Sequence, residues 1–441
     1  MLKILVVGGG SGGHITPAVA VVREILEQKP RTRVEFWTDR KYYKNVVKIT
    51  PEMGVRWGSA APVTQGTRKN QYIRVRKVLA GKFHRYAGWT WQDYFRNFSI
   101  TMKDLVWGNI TGFCGFVGGL VQSFGRLVRR KSRPDVIFLK GGFVGLPVGL
   151  VARLLKIPYV VHESDAVPGL ANRILMKHAE VVASGWAGLK STQPVVQVGI
   201  PVAPEFKVVT EAQQRKLKKI FGFETERPLV IVTGGSQGSE NINQAMAEIL
   251  PEMLKFTSVG LVAGRKHYEQ MVELKRFEEW ENARLKSNFR MWEFNSAMYE
   301  LMGAADVVVS RAGATTIAEL AALKKAVILV PFERLPGGHQ TKNAEKMVAA
   351  GAAVMVADER MQQQPGILLE AVRHLVRAPK ERERLAEKLH EEVRLDAAEK
   401  LAEIVLEVGQ KAQRESLEKK GRAEKVSERE AKKMSEREAK K

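Results

Sequence analysis

Two glycine-rich segments carry the clearest chemical signal in this sequence. The first reads Gly8-Gly9-Gly10-Ser11-Gly12-Gly13-His14 and the second reads Gly234-Gly235-Ser236-Gln237-Gly238, and each follows an apolar strand pattern. A glycine loop between a strand and a helix offers backbone N–H groups and a helix N-terminus to a phosphate. Because one such loop opens each half of the chain, we expect two phosphate-binding units that face one cleft.

Strand patterns alternate with helix patterns in both halves, which predicts α/β domains with parallel sheets. Thr16 and Pro17 are typical of the N-cap and first residue of a helix that reaches about Gln28. We expect two Rossmann-like domains, residues 1–200 and 201–410, and a low-complexity charged tail, 411–441, that is either helical or disordered. The predicted strands are residues 3–7, 33–38, 135–140, 158–162 and 195–198 in the first half, and 229–233, 259–263, 306–310, 327–330 and 353–356 in the second.

The composition limits the compartment and the class. The chain has 441 residues, enough for two domains with substantial cores. Its one cysteine, Cys114, excludes an internal disulfide and is typical of a reducing compartment. The apolar run Met1–Val7 is too short for a signal peptide. These features predict a protein of the cytoplasm.

The net charge of +23 is concentrated in one segment. Residues 68–133 hold fourteen Lys and Arg against two acidic residues, whereas the tail holds twelve against seven. A basic field attracts anionic lipid surfaces or nucleic acid. We expect the tail to be a solvated surface, and we expect no nucleic-acid partner, because residues 68–133 also contain many aromatic and apolar residues.

Residues 105–125 contain no charged residue and are followed by Arg126, Arg129, Arg130 and Lys131. About 20 apolar residues can span a bilayer, but this run contains six glycines together with Asn109 and Gln122. Apolar and aromatic residues beside many cations favour a helix that lies in the membrane interface. We therefore predict peripheral docking on an anionic membrane through residues 68–133; an ordinary buried helix and a membrane span are the alternatives.

The first loop taken alone fits another class of protein. Gly8, Gly10 and Gly13 match the G-x-G-x-x-G pattern of dinucleotide-binding folds, with Asp39 as the acid that holds a ribose. That pattern favours a nicotinamide-dependent dehydrogenase. His14 in the loop and the second complete loop argue instead for two facing Rossmann-like domains, which are typical of nucleotide-sugar glycosyltransferases. A non-enzymatic membrane-docking protein is a third hypothesis.

Five ordered motifs resemble those of the MurG family. They are residues 8–17 (GGGSGGHITP), 162–173 (HESDAVPGLANR), 234–238 (GGSQG), 311–319 (RAGATTIAE) and 339–344 (HQTKNA). The resemblance extends from residue 1 to about 375 and implies the GT-B glycosyltransferase architecture. It implies inverting transfer of N-acetylglucosamine from UDP-GlcNAc to the C4 hydroxyl of lipid I, which is undecaprenyl-diphospho-N-acetylmuramoyl-pentapeptide, to give lipid II for peptidoglycan. A glycosyltransferase of the same superfamily that uses a diacylglycerol-type acceptor is the alternative.

The resemblance also implies a location and partners. The protein is expected on the cytoplasmic face of the cell membrane, bound peripherally, with UDP-GlcNAc, a lipid-linked acceptor and other cell-wall enzymes as its partners. No cofactor and no metal are expected, because the sequence has no Asp-x-Asp motif. Backbone amides and helix N-termini then stabilise the leaving diphosphate, and we assign that role to Ser236 and Gln237.

Two residues compete for the role of general base. The imidazole of His14 titrates near neutral pH, which suits it to accept the proton of the acceptor hydroxyl. Asp165 stands where similar proteins usually have Asn; it is expected to bond the sugar hydroxyls, and its carboxylate is the second candidate base.

Glu319 is expected to accept both ribose hydroxyls of UDP, since a carboxylate can take two donors. The alternative is local: Thr316-x-x-Glu319 fits a capping box at a helix start. One departure from the family concerns Ala203, which stands where similar proteins have a phosphate-contacting Arg; Arg173 or Lys140 would substitute. The other residues that the resemblance places at UDP-GlcNAc are Ser11, Gly12, Gly13, Phe294, Asn295, Ala314, Thr315, Thr316, Gln340 and Asn343, and those that it places at the acceptor diphosphate are Ser11, Lys140, Gly141, Gly142, Phe143 and Arg173.

Overall fold

The computed structural model describes residues 1–52, 56–57, 72–81, 107–129, 132–235, 238–273, 288–333 and 338–438. Within these residues the first half forms an eight-stranded sheet whose paired strands are all parallel. Its strands are β1 (Lys3–Val7), β2 (Arg33–Thr38), β3 (Arg56–Trp57), β4 (Tyr72–Lys77), β5 (Val136–Leu139), β6 (Tyr159–Glu163), β7 (Val181–Ser184) and β8 (Val195–Gln197). Their order is β3-β4-β2-β1-β5-β6-β7-β8.

Helices cover both faces of this sheet. One face carries α1 (Gly12–Gln28) and α2 (Tyr43–Glu52), and the other carries α3 (Gly108–Leu127), α4 (Gly145–Leu154) and α5 (Leu170–Leu175). Successive side chains of β1 enter the two cores alternately, because neighbouring residues of a strand point to opposite faces. Both faces are therefore apolar, as a doubly wound parallel sheet requires.

The second half forms a six-stranded parallel sheet in the described residues. Its strands are β9 (Leu229–Thr233), β10 (Ser258–Val262), β11 (Phe289–Trp292), β12 (Val307–Ser310), β13 (Ala326–Leu329) and β14 (Val354–Met355), in the order β11-β10-β9-β12-β13-β14. Its helices are α6 (Glu211–Ile220), α7 (Glu240–Met253), α8 (Tyr268–Glu273), α9 (Met298–Ala304), α10 (Ala314–Ala322), α11 (His339–Ala349), α12 (Asp358–Gln363), α13 (Gly366–Arg377) and α14 (Pro379–Glu392).

Strand order places both glycine loops at topological switch points. β1 lies between β2 and β5, and β9 lies between β10 and β12. In open α/β sheets, ligands bind beyond the carboxyl end of the strand at which the order reverses. The α/β class with two parallel sheets is confirmed, and each glycine loop occupies the position in its sheet where a ligand is expected.

The last helix, α15 (Ala397–Glu438), returns to the first sheet. Leu401 and Val405 pack into the core beside α1 and β5, and Gly409 lies so close to Val136 that a Cβ would stand 2.8 Å from its Cγ1. Residues up to 410 were predicted to belong to the second domain, whereas α15 packs against the first. The helix continues through the low-complexity tail as far as Glu438.

Four strands were not predicted, and one helix start was wrong. β4 forms within the basic segment, where Ile73 and Val75 are buried and Arg74 between them is exposed. The short strands β3, β7 and β11 also escaped prediction. Helix α1 begins at Gly12 after an N-cap at Ser11, so Pro17 lies inside the helix rather than at its first position.

Helix α3 forms within the uncharged run, and its glycines have a packing role. Gly112, Gly115 and Gly119 lie against residues 79–81, and a Cβ on Gly119 would overlap the carbonyl oxygen of Leu79. The amide of Leu79 donates to Gln122 Oε1 at 2.8 Å. Among the described residues, no helix combines the length and hydropathy needed to cross a bilayer.

Candidate functional site

The first glycine loop is held from inside the protein by Asp39. The carboxylate accepts the amide N–H of Gly10 at 2.6 Å through Oδ2 and that of Tyr42 at 3.0 Å through Oδ1. Gly10 has φ of +83°, and a Cβ there would lie 2.7 Å from the Phe143 ring. Each carboxylate oxygen thus accepts a backbone N–H, so Asp39 supports the first glycine loop and the segment after β2.

His14 lies in the first turn of α1, facing the loop that follows β5. Its Nδ1 is 2.9 Å from Ser11 Oγ, and a Cβ on Gly142 would lie 3.2 Å from the same nitrogen. Burial, and then the Lys140 ammonium, lower the pKa of His14 from 6.5 to about 4, although Asp165 acts in the opposite direction. The imidazole is therefore neutral at physiological pH and has a lone pair with which to accept a proton.

Lys140 follows β5 and is almost completely buried. Its Nζ donates a hydrogen bond to Ser164 Oγ. Burial lowers the pKa of Lys140 from 10.5 to about 8, against the influence of the Glu163 and Asp165 carboxylates. The ammonium group thus lies beneath the loop at residues 140–143, and the backbone of this loop forms the wall opposite His14.

The segment after β6 is fixed by Glu163. This buried carboxylate accepts the amide N–H groups of Asp165 at 2.9 Å and Gly169 at 3.1 Å, and the side-chain amide of Asn172 at 2.9 Å. Burial and the neighbouring Asp165 raise the pKa of Glu163. Arg173, one of the predicted acceptor residues, is exposed on α5.

Asp165 is joined to the second sheet's domain by Asn343. Asn343 Nδ2 donates to Asp165 Oδ1 at 3.0 Å, and its Oδ1 accepts the amide N–H of Ala166 at 2.9 Å. His339, on the same helix α11, lies with Nδ1 2.8 Å from the carbonyl oxygen of Val167. The sequence placed Asn343 at UDP-GlcNAc and gave no signal for this contact between the domains.

The first glycine loop also contacts the N-terminal turn of α10 directly. Thr315 Oγ1 of α10 donates to the carbonyl oxygen of Gly13 at 3.1 Å. This carbonyl lacks its usual helical partner, because the residue four positions later is Pro17, which has no N–H. The proline inside α1 therefore leaves an acceptor that the other domain satisfies.

Glu319 lies inside α10 rather than at its start. The helix begins at Ala314 after an N-cap at Gly313, so the capping-box interpretation of Thr316 and Glu319 is wrong. Burial raises the pKa of Glu319 from 4.5 to about 8. Among the described residues its carboxylate has no hydrogen-bond or ion-pair partner, which leaves both oxygens for a ligand.

The second glycine loop leads into α7, whose N-cap is Ser239; Ser236 and Gln237 lie outside the described residues. Arg311, which sequence reasoning left without a role, supports this loop by donating to Ser239 Oγ at 2.6 Å and to Asp358 Oδ1 at 2.6 Å. Arg311 directly follows β12 and belongs to the motif at residues 311–319. That position was the signal in the sequence that could have assigned it to the site.

Three further predicted residues belong to the domain of the second sheet. Phe294 is half exposed, and the guanidinium of Arg265 stacks on its ring at 4.7 Å. Asn295 Oδ1 accepts the amide N–H of Ala297 at 2.8 Å, and Gln340 Oε1 accepts that of Phe332 at 2.9 Å. Within the described part of the chain, no group of three or more His, Cys, Asp or Glu side chains is arranged to hold a metal ion.

Comparison with known proteins gives two family matches. Residues 92–184 match the glycosyltransferase family 28 N-terminal domain, and residues 229–401 match the glycosyltransferase family 28 C-terminal domain. Two curated relatives, from Bacillus cytotoxicus and Exiguobacterium sp., are named UDP-N-acetylglucosamine--N-acetylmuramyl-(pentapeptide) pyrophosphoryl-undecaprenol N-acetylglucosamine transferase. The Bacillus cytotoxicus protein is 33% identical over a region that covers 81% of this chain and 86% of its own length. The Exiguobacterium protein is 30% identical over a region that covers 92% of this chain and 99% of its own length.

Solved structures agree with the fold. The crystal structure of Acinetobacter baumannii MurG aligns with a TM-score of 0.61 at 20% identity, covering 92% of this chain and 99% of its own. A UDP-GlcNAc 2-epimerase from Neisseria meningitidis, crystallised with UDP-GlcNAc, aligns with a TM-score of 0.57 at 14% identity, covering 92% and 100%. At these identities the structural likeness supports the two-domain GT-B architecture alone.

Proposed function

Because the chain belongs to the MurG family of UDP-N-acetylglucosamine--N-acetylmuramyl-(pentapeptide) pyrophosphoryl-undecaprenol N-acetylglucosamine transferases, we propose that it transfers N-acetylglucosamine from UDP-GlcNAc to lipid I. The C4 hydroxyl oxygen of the N-acetylmuramoyl unit forms a bond to the anomeric carbon while the bond from that carbon to the UDP oxygen breaks. The configuration inverts, the hydroxyl proton passes to a base, and UDP and lipid II are released.

One observation carries this proposal: the first glycine loop lies against the N-terminal turn of α10. Gly13, in the first loop, is hydrogen-bonded to Thr315 of α10, and Glu319 lies one turn further along that helix with an unpaired carboxylate. A UDP whose ribose diol is held by Glu319 then has its diphosphate near the N-termini of α1 and α10, where helix dipoles favour negative charge.

His14 and Asp165 are the candidate bases. His14 is neutral because burial and Lys140 lower its pKa to about 4, and a bound diphosphate would raise that pKa by favouring the charged form. Asp165 has one oxygen, Oδ1, bound by Asn343. We assign proton abstraction to His14 and contact with the sugar hydroxyls to Asp165; an exchange of the two roles remains the alternative.

We place the acceptor diphosphate at residues 140–143, together with Ser11. Lys140 supplies positive charge from beneath this loop while its Nζ is bound to Ser164, so the loop backbone makes the contact. Arg173, exposed on the neighbouring α5, is the cation that reaches from outside. This arrangement takes over the phosphate contact that Ala203 cannot make.

We propose that α3 docks on an anionic membrane surface, where a lipid-linked acceptor must stay. Seven apolar residues repeat every three or four positions and are each at least 40% exposed: Trp107, Ile110, Phe113, Val117, Val121, Phe124 and Val128. The helix is about 30 Å long, so this stripe has a large area for insertion into the interface. Arg129 is exposed at its end, whereas Arg126 is held by the carbonyl of Lys77 and the Trp37 ring.

The test is UDP release from UDP-GlcNAc with a panel of acceptors. We expect release with a lipid I analogue, a product heavier by one N-acetylhexosamine, and no release with diacylglycerol or without an acceptor. UDP-glucose in place of UDP-GlcNAc is the donor control. Release with diacylglycerol alone would establish the glycolipid synthase instead, and absence of release with every acceptor would contradict the transferase proposal.

A further inference from the structure

The loop at residues 164–169 is held by both domains at once. From its own domain, Glu163 binds the amides of Asp165 and Gly169, and Trp186 Nε1 donates to the carbonyl oxygen of Ser164 at 2.7 Å. From the other domain, helix α11 contacts the same loop. The loop contains Asp165, one of the two candidate bases, so its anchoring decides where that carboxylate stands.

The contacts from α11 come from one face of the helix. His339, Asn343 and Lys346 are four and then three residues apart, which places them on the same side. His339 reaches the carbonyl oxygen of Val167, and the ammonium of Lys346 lies 5.0 Å from the centroid of the Trp186 ring. We call these three residues the α11 face.

Asn343 is the buried centre of the α11 face and uses its whole side chain. Nδ2 donates to Asp165 Oδ1 at 3.0 Å and to the carbonyl oxygen of Ala312 at 3.1 Å, while Oδ1 accepts from Ala166 at 2.9 Å. The residue has no solvent exposure. The bond to Ala312 lies within its own domain and fixes the amide orientation, and both polar groups of this buried side chain are engaged with protein.

We propose that Asn343 is a positioning residue for Asp165, and that it acts by binding Oδ1 so that Oδ2 is the oxygen presented to the substrates. Oδ2 has no hydrogen bond to any residue in the described part of the chain. The proposal rests on the proposed function, since it assigns a role within the same transfer reaction. It replaces the direct contact with UDP-GlcNAc that the sequence predicts for Asn343.

The placement of Asn343 also couples the domains. Gln340, the predicted sugar contact, lies on the same helix one turn earlier, whereas Asp165 belongs to the other domain. In this arrangement of the domains, the helix that carries the predicted sugar contact also binds Asp165 Oδ1, so the donor site and the orientation of the carboxylate share one element. Thr315 and Gly13 form a second closing contact on the first glycine loop.

Kinetics of Asn343→Ala and Asn343→Asp test the proposal. Asn343→Asp keeps the size and the acceptor for Ala166 but replaces the donor to Asp165 by a carboxylate. We expect kcat to fall at least tenfold in both variants, with the KM for UDP-GlcNAc within threefold of wild type. His339→Ala, which loses a contact to the same loop but not to Asp165, is the matched control and should lower kcat less than threefold.

A double-mutant cycle separates positioning from general support of the fold. If Asn343 acts through Asp165, then Asp165→Asn/Asn343→Ala should have the kcat of Asp165→Asn within twofold. The proposal would be overturned if the double variant lost kcat by the product of the two single losses, or if the kcat of Asn343→Ala stayed within twofold of wild type. It would also be overturned if the KM for UDP-GlcNAc rose without a fall in kcat. The last result would restore the direct contact with UDP-GlcNAc.

Amide hydrogen exchange gives a readout that does not depend on activity. In Asn343→Ala, the amide of Ala166 loses its acceptor and should exchange at least tenfold faster, whereas that of Gly169, bound to Glu163, should be unchanged and serves as the internal control. Unchanged exchange at Ala166 would overturn the contact itself. Faster exchange at Ala166 in Asn343→Ala, combined with no sugar transfer by the wild-type protein, would instead contradict only the proposed function.

Discussion

Replacement of Glu319 by Gln tests the nucleotide site most directly. Burial raises the pKa of this carboxyl to about 8, so at pH 7 only about one molecule in ten of the free protein carries the charge. A ribose diol donates two hydrogen bonds and therefore favours the ionised carboxylate. We expect UDP binding at pH 7 to release close to one proton from wild-type protein, and affinity to rise about tenfold between pH 7 and pH 9.

Isothermal titration in buffers of different ionisation enthalpy measures that proton. Glu319→Gln should release none, lose the pH dependence, and bind UDP more weakly at pH 9 by about 1.5–3 kcal/mol, the range for hydrogen bonds to a charged group. The KM for UDP-GlcNAc should rise more than kcat falls, because the ribose is held equally before and during the reaction. Equal affinity in both proteins, without proton release from wild type, would refute the assignment.

The same substitution, which is expected to weaken UDP binding, is expected to stabilise the protein when no UDP is bound. The folded state binds the proton of Glu319 more tightly than the unfolded state, so the stability that this group contributes is complete below pH 4.5 and is lost as pH rises towards 8. Gln carries no charge at any pH. We therefore expect Glu319→Gln to be close to wild type near pH 5 and to be more stable above pH 8, by up to about 5 kcal/mol, the free energy that corresponds to a pKa of about 8 instead of 4.5, as measured by denaturant unfolding.

Three further results are expected. His14→Ala should lower kcat by about 10²–10⁴ while UDP still binds in calorimetry; loss of turnover in Asp165→Asn with little effect of His14→Ala would exchange their roles. EDTA treatment followed by the UDP-release assay should leave activity unchanged, and recovery by an added divalent cation would contradict the metal-independent reaction. The double substitution Phe113→Ser and Val121→Ser should weaken sedimentation with anionic vesicles at least tenfold without changing UDP affinity; Leu417→Ser, which removes an equally exposed apolar residue from α15, is the control, and vesicle binding unaffected by the α3 changes would place the docking surface elsewhere.

Local sequence was sufficient for much of the architecture. β1, β2 and β9 have the predicted bounds because each is an apolar run that ends at a glycine, an aspartate or a loop of glycines. The strands between helices predicted parallel sheets, and the order of five motifs predicted the family. These features depend on residues that are neighbours in the chain, so their signal survives without knowledge of the fold.

The errors arose where two local interpretations were equally good. Pro17 is typical of a first helical residue, but α1 starts at Gly12, and Thr315 of the other domain donates to the Gly13 carbonyl that the proline leaves free. Asp39 fits a ribose-binding acid, yet its carboxylate holds the first glycine loop. Thr316 and Glu319 fit a capping box, but the loop after β12 sets the helix start at Ala314.

The sequence by itself determined which residues are the candidates for the ligand site, since the glycine loops and motifs follow strands whatever the packing. Only the tertiary structure decided what those residues can do. The raised pKa of Glu319 and the lowered pKa of His14 come from burial, and the bond between Asn343 and Asp165 joins residues 178 positions apart. Burial and contacts between domains depend on how the two domains pack against each other. The hydrophobic periodicity within each half of the sequence carries no information about that packing.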